Sequence, residues 1–216
     1  MSTATEIFYG LQLTTPPAVE PLALAAVKTY LRVIANDQDS VITSLITRAR
    51  QYVEANAKIQ LITATWTLGL GGFPSAQLIP PGGGSSVWDT DNAIRPPRPR
   101  LQSVTSIKYI DTDEVQQTLD AGDYVVDTLS EPGRIVPSLS TSWPSTLDSS
   151  RAVVEVEYVA GFGDAASDVP ESIKQAMLLL ISHWYEHREA VIDAPVPVEM
   201  EIGMRSILST EKHGWI

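Results

Sequence analysis

Pro170-Glu171-Ser172-Ile173-Lys174-Gln175-Ala176-Met177-Leu178-Leu179-Leu180-Ile181-Ser182-His183-Trp184-Tyr185-Glu186-His187-Arg188-Glu189-Ala190-Val191 is the stretch on which the reading of this chain turns. Ile173, Met177, Leu180, Ile181 and Trp184 recur at helical spacing and form a broad apolar face. The stretch therefore predicts a helix that must bury that face against another element. Asp168 and Glu171 stand before it with the spacing of a capping box, and Pro195 and Pro197 mark its end. The same residues carry a second pattern. His183-Trp184-Tyr185-Glu186-His187 matches H-x-x-E-H, the inverted zinc-peptidase signature. Histidines four apart project to one side of a helix and can share a metal, with the intervening glutamate as base.

A zinc-dependent hydrolase built on His183, Glu186 and His187 needs a third ligand. The one remaining histidine is His213, and Glu189, Glu199 and Glu201 are the nearby carboxylates. The competing reading is a helix end that packs its Trp and Tyr rings and exposes its charges. No stretch elsewhere supplies a nucleophile set. Gly82-Gly83-Gly84-Ser85-Ser86 lacks the Lys and following helix of a phosphate loop, and Asp37, Asp39, Asp111 and Asp113 lie in turn-forming runs.

Moving outward from this helix, the chain before it reads as short strands. Ala64, Trp66, Leu68 and Leu70 alternate with threonines, and Thr105, Ile107 and Tyr109 begin a strand that turns at Asp111-Thr112-Asp113. Tyr124 with Val126, Arg134-Ile135-Val136, and Val154 with Val156 and Tyr158 mark three more. Such strands predict a small antiparallel β barrel or sandwich over 61–163. Arg95-Pro96-Pro97-Arg98-Pro99-Arg100 reads as a proline-protected strand edge, and 71–86 as a Gly- and Pro-rich loop. Still earlier, Leu24, Val27 and Leu31 form one helical stripe, and Ile42, Leu45, Ile46, Ala49 and Val53 another, with Asn36-Asp37-Gln38-Asp39 between them as turn and cap. Neither helical part has a core without the other.

The expected fold is α+β, a helical bundle core with the β module inserted. Its divisions are an arm at 1–20, helical core at 21–60, β module at 61–163, helical core again at 164–208, and a tail at 209–216. The tail follows an amphipathic segment and ends in Gly214-Trp215-Ile216, whose apolar side chains would be a liability unless docked into a partner.

The 216 residues are 44% hydrophobic, enough for a substantial core. Lys and Arg number 15 against 26 Asp and Glu, for a formal net charge of −11, which argues against gripping a nucleic-acid backbone and suits a wall that phosphates slide past. There is no cysteine, so thiol chemistry and disulfides are excluded. No leader and no membrane-spanning run is evident, so synthesis in the cytoplasm is expected.

The order of several segments is similar to one family. They are Thr15-Pro16-Pro17 with Glu20-Pro21-Leu22, Leu31-Arg32-Val33, Ala64-Thr65-Trp66, Pro99-Arg100-Leu101-Gln102-Ser103-Val104, and Tyr124 with Glu131-Pro132-Gly133-Arg134-Ile135. Tyr158-Val159-Ala160-Gly161-Phe162-Gly163, Val169-Pro170 and His183-Trp184-Tyr185-Glu186 before Arg188-Glu189-Ala190 complete the series. Over roughly 11–210 the chain resembles the head–tail connector (adaptor) family of tailed phages and gene transfer agents, in its longer, DNA-packaging branch. The resemblance implies a virion neck protein without catalytic residues, cofactor or metal. It implies a ring of about twelve copies under a portal protein and next to a neck or stopper protein, with DNA passing through. It also implies a C-terminal portal contact, for which Met204, Ile207, Leu208, Trp215 and Ile216 are the apolar residues present. Family members commonly carry Asn where this chain has His187, which makes the second zinc ligand dispensable. A sugar- or protein-binding β module on a helical base is a further alternative.

Overall fold

The computed structural model describes residues 9–74, 92–149 and 151–187. Within them, 17–63 with 162–187 form one compact unit, and 9–16 with 64–161 form another.

The first unit is helical. Helix α1 spans Leu24–Leu31, α2 Asp39–Ala57 and α3 Glu171–Glu186. The apolar stripes expected from the sequence meet in one core: Val27 of α1, Ile42, Ile46, Ala49 and Val53 of α2, and Ile173, Met177, Leu180 and Ile181 of α3 are all buried there. Turning three amphipathic faces inward removes from water the surface that none could cover alone. The caps depart from expectation. Gln38, not an aspartate, occupies the N-cap of α2, and Pro170 that of α3, each without a side-chain cap bond. Asp39 sits instead in the first turn of α2, where its Oδ1 is 2.6 Å from Lys28 Nζ and ties α2 to the last turn of α1. Asp168 belongs to a short 3-10 turn, Ala166–Asp168, and accepts from the Ala165 N–H at 2.9 Å rather than forming a box with Glu171. A Cβ on Gly163 would collide with that carboxylate.

The second unit is built on sheets. Strands β1 (Tyr9–Thr15), β2 (Ala64–Leu70), β3 (Leu101–Ile110), β4 (Gln116–Thr118) and β7 (Val154–Ala160) form an antiparallel sheet in the order β1-β2-β7-β3-β4. Strands β5 (Tyr124–Asp127) and β6 (Arg134–Pro137) pair separately as a hairpin. Of the expected barrel or sandwich, the barrel is corrected: the five-stranded sheet is open. Its outer strands are the seven-residue β1 and the three-residue β4, and these do not pair with one another. The segment read as an arm thus supplies an edge strand, with Leu11 opposite Leu68 and Leu13 opposite Trp66.

One face of β2 and β7 is apolar in strict alternation, with Leu68 opposite Val156 and Leu70 opposite Val154. Strand β3 departs from that period. Register shifts between Leu101 and Ser103 and between Val104 and Ser106 put Leu101, Val104 and Ile107 opposite Ala160, Tyr158 and Val156 in turn. Two bulges convert a spacing of three into a shared face, so β3 begins earlier than alternation alone indicates.

Candidate functional site

The helix whose sequence posed the metal question ends at Glu186 with His187 as its C-cap. The rings of His183 and His187 lie side by side, with centroids 4.6 Å apart. His187 Nδ1 is 3.0 Å from the carbonyl oxygen of His183, so one of its two ring nitrogens is engaged by its own helix. Glu186 is exposed. No group of three His, Asp or Glu able to hold a metal is present among the described residues. Glu189, Glu199, Glu201 and His213, the candidate third ligands, lie outside the described residues, as do Met204, Ile207, Leu208, Trp215 and Ile216.

Trp184, between the histidines, is the packed residue. It is buried, meets Tyr52 of α2 edge to face at 5.8 Å between centroids, and carries the Arg48 guanidinium over its ring at 4.5 Å. The helix end thus joins α3 to α2 through ring and cation–π contacts.

A polar cluster that the sequence reading did not single out lies in the same unit. Arg50 Nε donates to Glu20 Oε2 at 2.8 Å and its Nη1 to Glu54 Oε2 at 2.9 Å, and Thr47 Oγ1 donates to Glu20 Oε1 at 2.9 Å. Glu54 Oε1 accepts from Gln60 Nε2 at 2.8 Å and from the Leu61 N–H at 3.2 Å. Gln60 Nε2 also reaches the Ile62 carbonyl at 3.0 Å. Burial opposes the charge of Arg50, but hydrogen bonds and attraction from Glu20 and Glu54 outweigh it and hold its pKa above the ordinary value. The backbone continues the chain of contacts: the Phe162 N–H donates to the Leu61 carbonyl and the Thr63 N–H to the Gly163 carbonyl, both at 3.0 Å. Among the described residues, the segments beside the passages at 63–64 and 161–162 are thus hydrogen-bonded to one another within the helical unit. Arg50 and Glu54, four apart on α2, were the available signal; on the sequence alone they read as an exposed pair.

The Arg–Pro run is not a solvated strand edge. Ile94, Pro96 and Pro99 are buried, Ile94 exchanges backbone hydrogen bonds with Ile135 at 2.8 Å, and the Pro97 carbonyl accepts from the Tyr158 hydroxyl. Arg98 lies 5.2 Å over the Trp66 ring and Arg100 Nε is 3.6 Å from Glu131 Oε1. These cations are committed within the β unit.

The loop joining β5 and β6 is ordered by Asp127. Its Oδ1 accepts from the N–H groups of Leu129 and Ser130, and its Oδ2 accepts from Ser130 Oγ at 2.6 Å and Arg134 Nε at 2.9 Å. The Ser130 hydroxyl and amide, with Arg134, hold this carboxyl down at about 2. Its chemistry is that of a turn, since every donor comes from the same hairpin. Among the described residues no helix is long and apolar enough to cross a membrane.

Comparison with known proteins finds likenesses along most of the chain. Residues 22–109 match the model of the phage gp6-like head-tail connector protein, and residues 90–192 match the model of the head completion protein. No curated protein sequence matches. The fold is shared with a chain in the neck of an empty gene transfer agent (GTA) particle computed with C6 symmetry, at 19% identity and a TM-score of 0.70, over 96% of this chain and 97% of that one. It is shared likewise with a chain in the virion of a native GTA particle (20%, TM-score 0.65, 93% of each chain). A third chain, in the neck of a native GTA particle computed with C12 symmetry, matches at 21% identity and a TM-score of 0.62, over 95% of this chain and 97% of that one. The two matches overlap around the start of β3 and together run from residue 22 to residue 192, so along most of its length this chain is similar to phage head-tail connector and head completion proteins.

Proposed function

We propose that this connector forms an adaptor ring in the neck of a phage or gene transfer agent particle, beneath the portal protein and against a neck or stopper protein, with DNA passing through its lumen. The observation that carries this reading is the succession of a head-tail connector match and a head completion match along one chain, on a fold found in particle necks. Its work is mechanical. The three helices serve as the bundle core of each subunit, the β unit is an insertion in it, and no residue acts on a substrate, metal or cofactor. The chain is made in the host cytoplasm and incorporated into the virion.

Two further features support the role. A net charge of −11 suits a conduit, because each captured phosphate would slow the passage of DNA. The cations Arg50, Arg98, Arg100 and Arg134 are all engaged by neighbours within their own unit. The portal contact is the C-terminal segment, through Met204, Ile207, Leu208, Trp215 and Ile216.

Deleting residues 204–216 tests this. The truncated subunit should remain folded and soluble but fail to join portals, and particles made with it should lack tails. Tailed particles at normal yield would move the portal contact elsewhere, most directly to the N-terminal segment.

A further inference from the structure

Ile34, Leu129 and Leu139 are 94%, 98% and 110% exposed, while the next large apolar side chain among the described residues, Val115, is 52% exposed. Single exposed leucines are ordinary on protein surfaces. These three differ because each is held out by a hydrogen-bonded turn. At the α1–α2 turn, Arg32 adopts a left-handed conformation and the Val33 N–H donates to the Lys28 carbonyl at 2.9 Å. Lys28 Nζ then spans the turn to Asn36 at 2.7 Å and Asp39 at 2.6 Å, so that Ile34 stands at a braced corner. Leu129 projects from the loop that Asp127 ties together. Leu139 lies between Ser138, whose N–H donates to the Asp123 carbonyl at 2.9 Å, and Thr141, whose N–H donates to the Ser138 carbonyl at 2.9 Å.

The charges beside them differ. Arg32, two residues from Ile34, has no side-chain partner among the described residues, and neither does the carboxylate of Asp123, whose carbonyl anchors the turn bearing Leu139. Beside Leu129 the charges are already matched in pairs, Asp127 with Arg134 and Glu131 with Arg100. One corner is thus apolar with the cation Arg32 and, in the same turn, the carboxylate Asp37, which among the described residues accepts only from Gln38, while the hairpin is apolar with the anion Asp123 at its base.

We infer that these are the two halves of one contact between neighbouring copies of this chain: the β5–β6 hairpin, with Leu129 and Leu139, of one copy against the α1–α2 corner, with Ile34, of the next. The inference rests on the ring proposed above. A closed ring needs each subunit to present two different, complementary faces, and these patches lie on different units of the chain. Arg32 facing Asp123 sets orientation. A two-fold contact of the hairpin with itself would oppose Asp123 to its own copy, which disfavours it.

The chain has no cysteine, so contacts can be mapped by disulfide trapping without a background. A full-length variant carrying both Ile34→Cys and Leu139→Cys, oxidised at a concentration where light scattering shows rings, should yield a ladder of covalent multimers, and each single-cysteine variant should stay monomeric on the same gel. Arg32→Glu should raise the concentration for half-assembly about tenfold, the effect of a single misplaced charge, and adding Asp123→Arg should restore it. Rings without a ladder, or charge swaps without effect on folded protein, would overturn this contact and leave the ring standing. Dimers from Leu139→Cys alone would replace it with a two-fold contact. Absence of multimers from the parent protein, both free and in particles, would remove the ring itself and the contact with it.

Discussion

Gln60 donates from Nε2 to Glu54 Oε1 at 2.8 Å, and both side chains are buried in the helical unit. Glu54 is the hinge of the polar cluster: one oxygen serves Arg50, and the other serves Gln60 and the Leu61 backbone. A buried carboxylate survives in such a place because both its oxygens accept hydrogen bonds and a cation sits beside it. The arrangement holds the end of α2 to the segment that leads into β2, the first of the flanking segments also hydrogen-bonded to the chain where it returns at Phe162.

Glu54→Ala should therefore cost about 3 kcal/mol, the scale for breaking a buried ion pair, because Arg50 keeps only Glu20, the Leu61 N–H loses this acceptor and Gln60 keeps only its bond to the Ile62 carbonyl. Glu54→Gln keeps an acceptor oxygen and should cost about half as much. Urea unfolding of both variants checks the ordering; equal costs would mean the charge is immaterial.

The Asp127 loop gives a pH dependence. Its carboxyl sits at about 2 when folded, against an ordinary 3.8, so the contact stabilises the folded loop fully above the ordinary value and is lost as pH falls from about 4 toward 2. The Ser130 amide, which donates to this carboxylate, should shift with that low midpoint when followed by NMR. Asp127→Asn should remove the acid-side transition at this amide. A midpoint at the ordinary aspartate value would show that the turn does not favour the ionised form.

At the end of α3, the aromatic residue and not the histidines should carry the stability. Trp184→Ala should cost about 3–5 kcal/mol through the cavity it leaves beside Tyr52 and Arg48, whereas His183→Ala and His187→Ala should each stay within about 0.5 kcal/mol. Protein dialysed against chelator and then against buffer should retain no stoichiometric zinc by elemental analysis. One zinc per chain, lost in His183→Ala, would restore the metal reading.

The helical core was legible because its signal is local. Val27, Ile42, Ile46, Ala49, Val53, Ile173, Met177 and Leu180 announce their burial by spacing alone, and all of them are buried in one cluster. Strands β2 and β7 were legible for the same reason, with period two replacing the helical period. Strand β3 was legible only from Thr105 onward, since two bulges erase the alternation between Leu101 and Ile107. Bulges are settled by pairing with β7, and no property of the β3 sequence taken alone reveals them.

Closure of the sheet, too, was a tertiary decision. Short strands with turns between them are common to closed barrels and to open sheets; the difference lies in whether the outer strands meet, and here Tyr9–Thr15 pairs with β2 alone. The sequence by itself determined which faces are apolar, that the chain contains helices around a β-rich middle, and the order of segments that resembles the head–tail connectors. Only the tertiary structure decided that Glu54 and Gln60 are buried together, that Asp39 and Asp168 serve as an ion-pair partner and a 3-10 turn acceptor instead of helix caps, and that Trp184 rather than His183 or His187 anchors α3. Periodicity is a property of neighbouring residues and can be read along the chain, whereas the partner of a polar side chain is chosen by residues distant in sequence, brought near when the apolar faces close.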